Sequence, residues 1–200
     1  MTRIISGMAG GRSLLVPASG TRPTSDRGRE ALFSSVDAAI EGNWSRQKVL
    51  DLFAGSGALG LEAASRGAMD VVFVESNAKA VAVLRENVRT IAGAMRESGE
   101  TEPACSVQAQ SVESWIPADK FTLTFVDPPY SMTDMHLCGV LDRLASVGAF
   151  APDSLVVVER DRRSASPFPE SISLWREKAY GDTRLWYGHV ADVASQGKVE

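Results

Sequence analysis

Two hundred residues, 44% of them hydrophobic and 23% charged, describe a globular chain with apolar material for one main core. No apolar run reaches the roughly 18 residues that a bilayer-spanning helix needs, and Met1 to Gly7 lacks the apolar centre of a secretion signal, so a cytoplasmic protein is expected. The net charge of −4 excludes a generally basic nucleic-acid binder, yet it is unevenly spread: residues 1–30 hold five arginines against two acids, a local +3 on a body of −7. A basic arm on an acidic body suits an anionic macromolecular partner held at one face, and equally a solvated arm. Cys105 and Cys138 have no CxxC spacing and no nearby histidine pair, so neither a zinc site nor a disulfide is expected, only two buried small apolar residues.

In chain order, Arg3 to Ser6 and Ser13 to Val16 flank a glycine turn and predict a small hairpin. Pro23 and Thr24 mark the start of a helix through Phe33, with Thr24 as N-cap. From residue 46 the pattern alternates strand and helix, the signature of an α/β domain on a mostly parallel sheet. Val49 to Phe53 reads as a strand, Leu59 to Arg66 as a helix of small residues, and Val71 to Glu75 as the next strand. Val81, Leu84, Val88 and Ile91 recur at helical spacing; Gly93 reads as their stop and Met95 to Pro103 as a mobile loop. Ala104 to Gln108 predicts a strand, Ser111 to Trp115 a short helix, Phe121 to Val126 a strand, Met135 to Val147 a helix and Leu155 to Glu159 a strand. Ile172 to Ala179 and Thr183 to Val190 then flank Tyr180-Gly181-Asp182 as an antiparallel hairpin, and a frayed tail follows from Ala191.

Gly55-Ser56-Gly57-Ala58-Leu59-Gly60 fits G-x-G-x-x-G between a strand and a helix, with Glu75 twenty positions beyond the first glycine to accept hydrogen bonds from ribose hydroxyls. That pattern points to an adenosine-containing cofactor. Asp51, inside the preceding strand, separates the two main candidates. A carboxylate there repels the pyrophosphate of NAD, whereas S-adenosylmethionine has no phosphate and carries an ammonium and a sulfonium. Asp51 can also serve as a structural acid bonded to loop amides.

Phe125-Val126-Asp127-Pro128-Pro129-Tyr130 ends an apolar run in an acid and two prolines, which forces the chain out of the sheet. With a methyl donor bound, this turn has a use: a planar base stacks on Tyr130 while its exocyclic amine donates to Asp127 and to the Pro128 carbonyl. His136 and His189 have no suggestive partner, Trp115, Trp175 and Trp186 read as core or edge packing, and Arg160, Arg162 and Arg163 divide evenly between phosphate contact and a solvated loop.

VLDLFAGSGALGLEAASRGA (Val49 to Ala68) and FVDPPY (Phe125 to Tyr130) resemble the donor-binding and catalytic motifs of methyltransferases that act on base amines. With RIISGMAGGRSLLVP, TRPTSDRGREALFS and the closing RLWYG, the resemblance over nearly the whole chain is to bacterial 16S ribosomal RNA guanine-N2 methyltransferases of the RsmD type. It implies an α/β fold: a Rossmann-like class I S-adenosylmethionine-dependent methyltransferase sheet, mostly parallel, with an antiparallel hairpin at its C-terminal edge and a small N-terminal hairpin and helix arm. The implied division is 1–45 for an RNA-binding arm, 46–190 for the methyltransferase domain and 191–200 for a tail. The implied reaction moves methyl from S-adenosylmethionine, leaving S-adenosylhomocysteine, to one guanine N2 of 16S rRNA within a small ribosomal subunit, by a monomer that needs no metal.

On this reading Asp127, Pro128, Pro129 and Tyr130 are catalytic, and donor contacts come from Asp51, Phe53, Ala54, Gly55, Ser56, Gly57, Glu75, Ser76, Gln110, Ser111 and Asp127. Gln110-Ser111-Val112 stands where many such enzymes have an acid-alanine pair, so the adenine ring is assigned to Gln110 or backbone groups. RNA contacts fall to Arg3, Arg12, Arg22, Thr24, Arg27 and Arg29, with Asp26 and Arg29 alternatively tying the arm to the core. Two other functions stay open: an adenine-N6 methyltransferase of DNA or RNA, which normally needs an added target-recognition segment, and a non-catalytic RNA-binding module, which predicts a damaged loop or turn.

Overall fold

A computed structural model describes residues 2–17 and 26–191, so Thr24 as helix cap, Arg22 and the tail beyond Ala191 lie outside the described residues. The chain divides into two compact units, Met1–Val112 and Glu113–Glu200.

The first unit opens with a two-stranded antiparallel ribbon, β1 (Thr2–Arg3) and β2 (Ser13–Leu14), with Thr2 opposite Leu14. Helix α1 (Asp26–Ala39) follows and buries Leu32, Phe33 and Val36. Strands β3 (Lys48–Leu52), β4 (Asp70–Val74) and β5 (Ala104–Gln108) lie side by side in the order β5-β4-β3, all parallel. Their apolar runs bury Val49, Leu50, Leu52, Val71, Phe73 and Val74 completely, as parallel strands covered on both faces require. The crossovers are α2 (Ala58–Ser65) between β3 and β4, and α3 (Ala78–Glu97) between β4 and β5.

Helix α3 corrects two expectations. It begins where Asn77 caps it by accepting from Lys79 N (3.0 Å) and Ala80 N (3.1 Å), but it does not stop at Gly93. Ala94 and Met95 continue the buried face set by Val81, Leu84 and Ile91, and that burial outweighs the roughly 1 kcal/mol of an interior glycine. The helix ends instead at Ser98 with Gly99 in the left-handed region (φ 77°), so Met95 to Pro103 is not one loop.

In the second unit, β6 (Phe121–Val126) pairs in parallel with β7 (Phe150–Asp161) across helix α4 (Asp134–Ser146), which buries Leu137, Val140, Leu141 and Leu144. Strand β9 (Thr183–Val190) then runs antiparallel to β7, and β8 (Ile172–Tyr180) antiparallel to β9, giving the order β6-β7-β9-β8. The hairpin closes at Gly181, whose φ of 56° an L side chain resists. Gly188 is fixed by contact, since a Cβ there would lie 2.7 Å from Ile172 Cγ2 and 2.8 Å from the Phe168 ring.

Other readings are adjusted. Ser111 to Trp115 is not a helix but a turn, because five residues ahead of Pro117 cannot offset helix nucleation. Cys105 and Cys138 are free thiols only partly buried; burial, with the Asp70 charge second, pushes the Cys105 thiol up to about 12. Trp115 and Trp186 are buried, while Trp175 is half exposed on β8, edge-on to Tyr187.

Candidate active site

In the first unit the register Leu52↔Val74↔Gln108 aligns the carboxyl ends of three parallel strands, so the residues after each emerge at one edge. From β3 the chain turns through Phe53, Gly55 and Gly57, all at positive φ (60°, 55° and 80°). The left-handed Phe53 is an outlier no periodicity announces, and such strain, of order 1 to 3 kcal/mol, is held where surrounding structure over-determines it. Here the ladder continues past β3 through Ala54 N to Val74 O (3.0 Å), and Gly57 N closes the turn on Ala54 O (2.7 Å).

The three glycines of the motif have separate jobs. A Cβ on Gly57 would meet Leu84 Cδ1 at 2.4 Å, and one on Gly60 would meet Phe73 Cε1 at 2.4 Å, so these two let α2 and α3 close on the sheet. A Cβ on Gly55 would find only the Phe53 carbonyl, at 3.9 Å, which leaves open space beside the loop. Gly60→Ala is therefore expected to cost about 1 to 3 kcal/mol of stability by overpacking Phe73. Gly55→Ala costs about 1 to 2 kcal/mol of backbone strain, and its larger effect falls on ligand affinity. Chemical denaturation and donor titration of the two variants check this; equal affinity losses would refute the division.

Glu75, one residue past β4, accepts from Gly55 N through Oε2 (2.8 Å) and from Asn77 N through Oε1 (2.7 Å). These bonds aim the carboxylate at the loop, and each oxygen keeps a lone pair for a hydroxyl donor. Ser76 is exposed beside it, and Gln110 (exposed) and Ser111 (half buried) follow β5 at the same edge. Asp51 is 2% exposed, and its Oδ2 accepts from Gly60 N (2.8 Å), so its loop-facing alternative as a bonded structural acid is the contact seen. Burial raises its carboxyl to about 8, the Gly60 bond opposing and the Glu75 charge adding.

Two buried polar residues that sequence reasoning passed over organise this edge. Asn87, on the apolar face of α3, donates from Nδ2 to Leu15 O (2.9 Å) and to Ser56 O (2.8 Å), and accepts from Leu15 N (2.9 Å). It thus ties the segment after β2 to the glycine loop. Glu62, fully buried on α2, accepts from Ile5 N (2.6 Å), Ser6 N (3.0 Å) and Arg66 Nε (2.9 Å). Their signal was a polar residue inside an apolar face. Gly7 lies so close to α2 that a Cβ would sit 2.0 Å from Ser65 O.

Of the arm residues, Arg3 and Arg27 are exposed, and Arg12 is exposed with Glu97 at 3.7 Å. Arg29 corrects an expectation: at 2% exposure it presents no guanidinium to solvent, which favours a tie to the core over an RNA contact. Arg22 and Thr24 lie outside the described residues.

The second unit holds the proline turn. Asp127, Pro129 and Tyr130 are exposed, the tyrosine to 68%, while Pro128 is buried and anchors the turn on the core. Met132 N bonds to Pro129 O (2.9 Å), and Thr133 caps α4 through His136 N (3.2 Å). Arg160, from β7, donates Nη2 to Met132 O (2.6 Å) and Nε to Asp134 Oδ1 (2.9 Å). Its side chain is 8% exposed, so it clamps the far end of the turn and the phosphate reading fails for it; Arg162 and Arg163 remain exposed. A pocket opens between the turn and the ends of β7 and β9, lined by Asp127, Pro128 and Tyr130 and by Glu159, Arg160, Asp161 and Thr183. Among the described residues no group of acids, histidines and cysteines is placed to hold a metal, and no helix is long and apolar enough to cross a membrane.

The family described as Conserved hypothetical protein 95 matches residues 2–189. Ribosomal RNA small subunit methyltransferase D of Escherichia coli is 37% identical over 90% of this chain and 85% of its own length. The structure of a hypothetical protein of Thermus thermophilus superposes with a TM-score of 0.75 at 34% identity, covering 96% of this chain and all of that one. The fold alone is shared with the magnesium protoporphyrin IX methyltransferase of Synechocystis, solved with bound S-adenosylmethionine (TM-score 0.60, 15% identity, 86% and 87% of the two chains). The chain has the class I methyltransferase fold.

Proposed function

We propose, from the premise that this chain belongs to the Conserved hypothetical protein 95 family and is a methyltransferase, that it moves methyl from S-adenosylmethionine to a guanine N2 in small-subunit rRNA. The observation that carries this reading is an intact FVDPPY turn, with exposed Asp127 and Tyr130 beside a pocket, in a chain so similar to a named rRNA methyltransferase.

The loop edge fits such a donor. A buried acid whose ionisation is resisted by its surroundings gains most from a cationic ligand, and the space beside Gly55 admits one without side-chain conflict. Glu75 would hold the ribose, and Asp51 would face the positive methionine end. When bound, S-adenosylmethionine supplies a methyl on a good leaving group, so the chain needs chiefly to position the acceptor.

Asp127 and the Pro128 carbonyl each accept one hydrogen of the amine, which frees the nitrogen lone pair from the ring and directs it at the methyl carbon. As the N–C bond forms and the C–S bond breaks, both acceptors stabilise the positive charge on nitrogen, and one proton leaves through Asp127. Tyr130 offers its ring as a stacking platform, at a worth of about 1 to 3 kcal/mol. Arg3, Arg12 and Arg27 would contact the phosphate backbone, and the acidic remainder favours a pre-structured ribonucleoprotein over naked duplex.

The test supplies labelled S-adenosylmethionine with small subunits from a strain lacking the enzyme, naked rRNA and duplex DNA. Label recovered as N2-methylguanine from the subunit is the expected result. Label on an adenine amine would replace this reading with the adenine-N6 one.

A further inference from the structure

We propose that Glu159 determines base specificity in the acceptor pocket: its carboxylate accepts the N1–H beside the amine held by Asp127, admitting guanine and excluding adenine. This rests on the reading of the proline turn as the acceptor site.

The register places Glu159. Val126 of β6 pairs with Val158 of β7, so Asp127, one residue past β6, and Glu159, in the last few residues of β7, come next in register, near the carboxyl ends where α/β sheets bind ligands. Glu159 follows the wholly buried run Leu155 to Val158, is itself only 8% exposed, and lines the same pocket as Asp127, Pro128 and Tyr130. A carboxylate so close to a core is costly unless polar hydrogens meet it, and its two oxygens together accept about four, so a contact within the protein still leaves room for a donor on the base. Arg160, on the same wall, directs Nε and Nη2 to Asp134 and Met132. The remaining side chains of the wall, Asp161 and Thr183, add acceptors and a hydroxyl.

That array matches one base edge. Guanine presents two adjacent donors, the N2 amine and N1–H, whereas adenine places the bare N1 lone pair beside its amine. A carboxylate next to the amine site pairs with the first and repels the second. Sites built around a buried hydrogen bond reject analogues lacking the partner by about 10⁴- to 10⁵-fold, and about 10²-fold is expected at a pocket this open.

The experiment compares kcat/KM on small subunits reconstituted with guanine or 2-aminopurine at the position methylated by the wild type. 2-Aminopurine keeps the amine and lacks N1–H. The wild-type enzyme should favour guanine by about 10²-fold, and Glu159→Gln, which exchanges one acceptor oxygen for a donor, should bring the two bases to within a factor of about two. A variant that slows equally on both bases would show Glu159 to be structural only and overturn the proposal. So would a wild-type enzyme indifferent to the base, a comparison that needs no variant to fold. Absence of N2-methylguanine from every wild-type reaction would instead overturn the functional reading beneath it.

Discussion

Replacing Asp127 by alanine will lower methyl transfer by about 10² to 10³-fold while donor affinity stays within a factor of about two. The asymmetry follows from where the side chain stands. Asp127 is exposed at the end of β6, and Pro128 behind it is buried and holds the backbone, so the loss expected is that of an acceptor for the amine. Asp127→Asn keeps one acceptor oxygen but loses the charge that offsets the cation developing on nitrogen, and should fall between wild type and alanine. The measurement is single-turnover transfer at saturating RNA, beside calorimetric titration of S-adenosylmethionine. Undiminished transfer in the alanine variant would remove Asp127 from the reaction; equal losses of transfer and donor affinity would make it a binding residue.

Asp51→Asn should yield a more stable protein that binds its donor worse. With the folded-state carboxyl raised from 3.8 to about 8, the group is neutral in both states below pH 3.8 and contributes no pH dependence there. Between those values the unfolded chain is ionised and the folded one is not, so folding takes up a proton. Stability accordingly falls as pH rises through the window, by up to about 1.4 kcal/mol per pH unit, and levels off above it. Asparagine keeps an acceptor for Gly60 N–H and has no charge to lose, so the variant should gain on wild type steadily from pH 4 to pH 8 in denaturant titrations.

Donor binding runs the other way. A cationic ligand favours the ionised carboxyl, so wild-type affinity should climb with pH toward 8 and proton release should appear as a buffer-dependent binding heat. The variant should bind about 10- to 100-fold more weakly and without that slope, the worth of one charge-assisted hydrogen bond. Equal affinities for the two proteins would reduce Asp51 to a partner of Gly60.

Much of this was legible residue by residue. The alternation of strands and helices, the hairpin at Gly181, the ribbon at the N-terminus and the glycine loop all follow from period and turn chemistry, which are local. Strand after strand carries an acid at or near its carboxyl end: Asp51, Glu75, Asp127 and Glu159. Asp51 and Asp127 stood out because each lies at a glycine or proline motif, and Glu75 because it falls twenty positions beyond Gly55. Glu159 did not, because LVVVE followed by an arginine run reads as an ordinary strand exit until the register sets it beside Asp127.

What the sequence by itself determined is the fold class, the family and the two motifs, since backbone conformation and apolar periodicity depend on neighbours a few positions away. What the tertiary structure decided is the partner of each polar group. Helix α3 ran past Gly93 because its buried face continued; Arg160 became a clamp because Met132 O and Asp134 stood within reach; Arg29 went inside. Asn87 joined Leu15 to Ser56 across 72 and 31 positions of chain. A hydrogen bond acts over about 3 Å of space regardless of separation along the chain, so local patterns could flag these residues as polar but not say what each would hold.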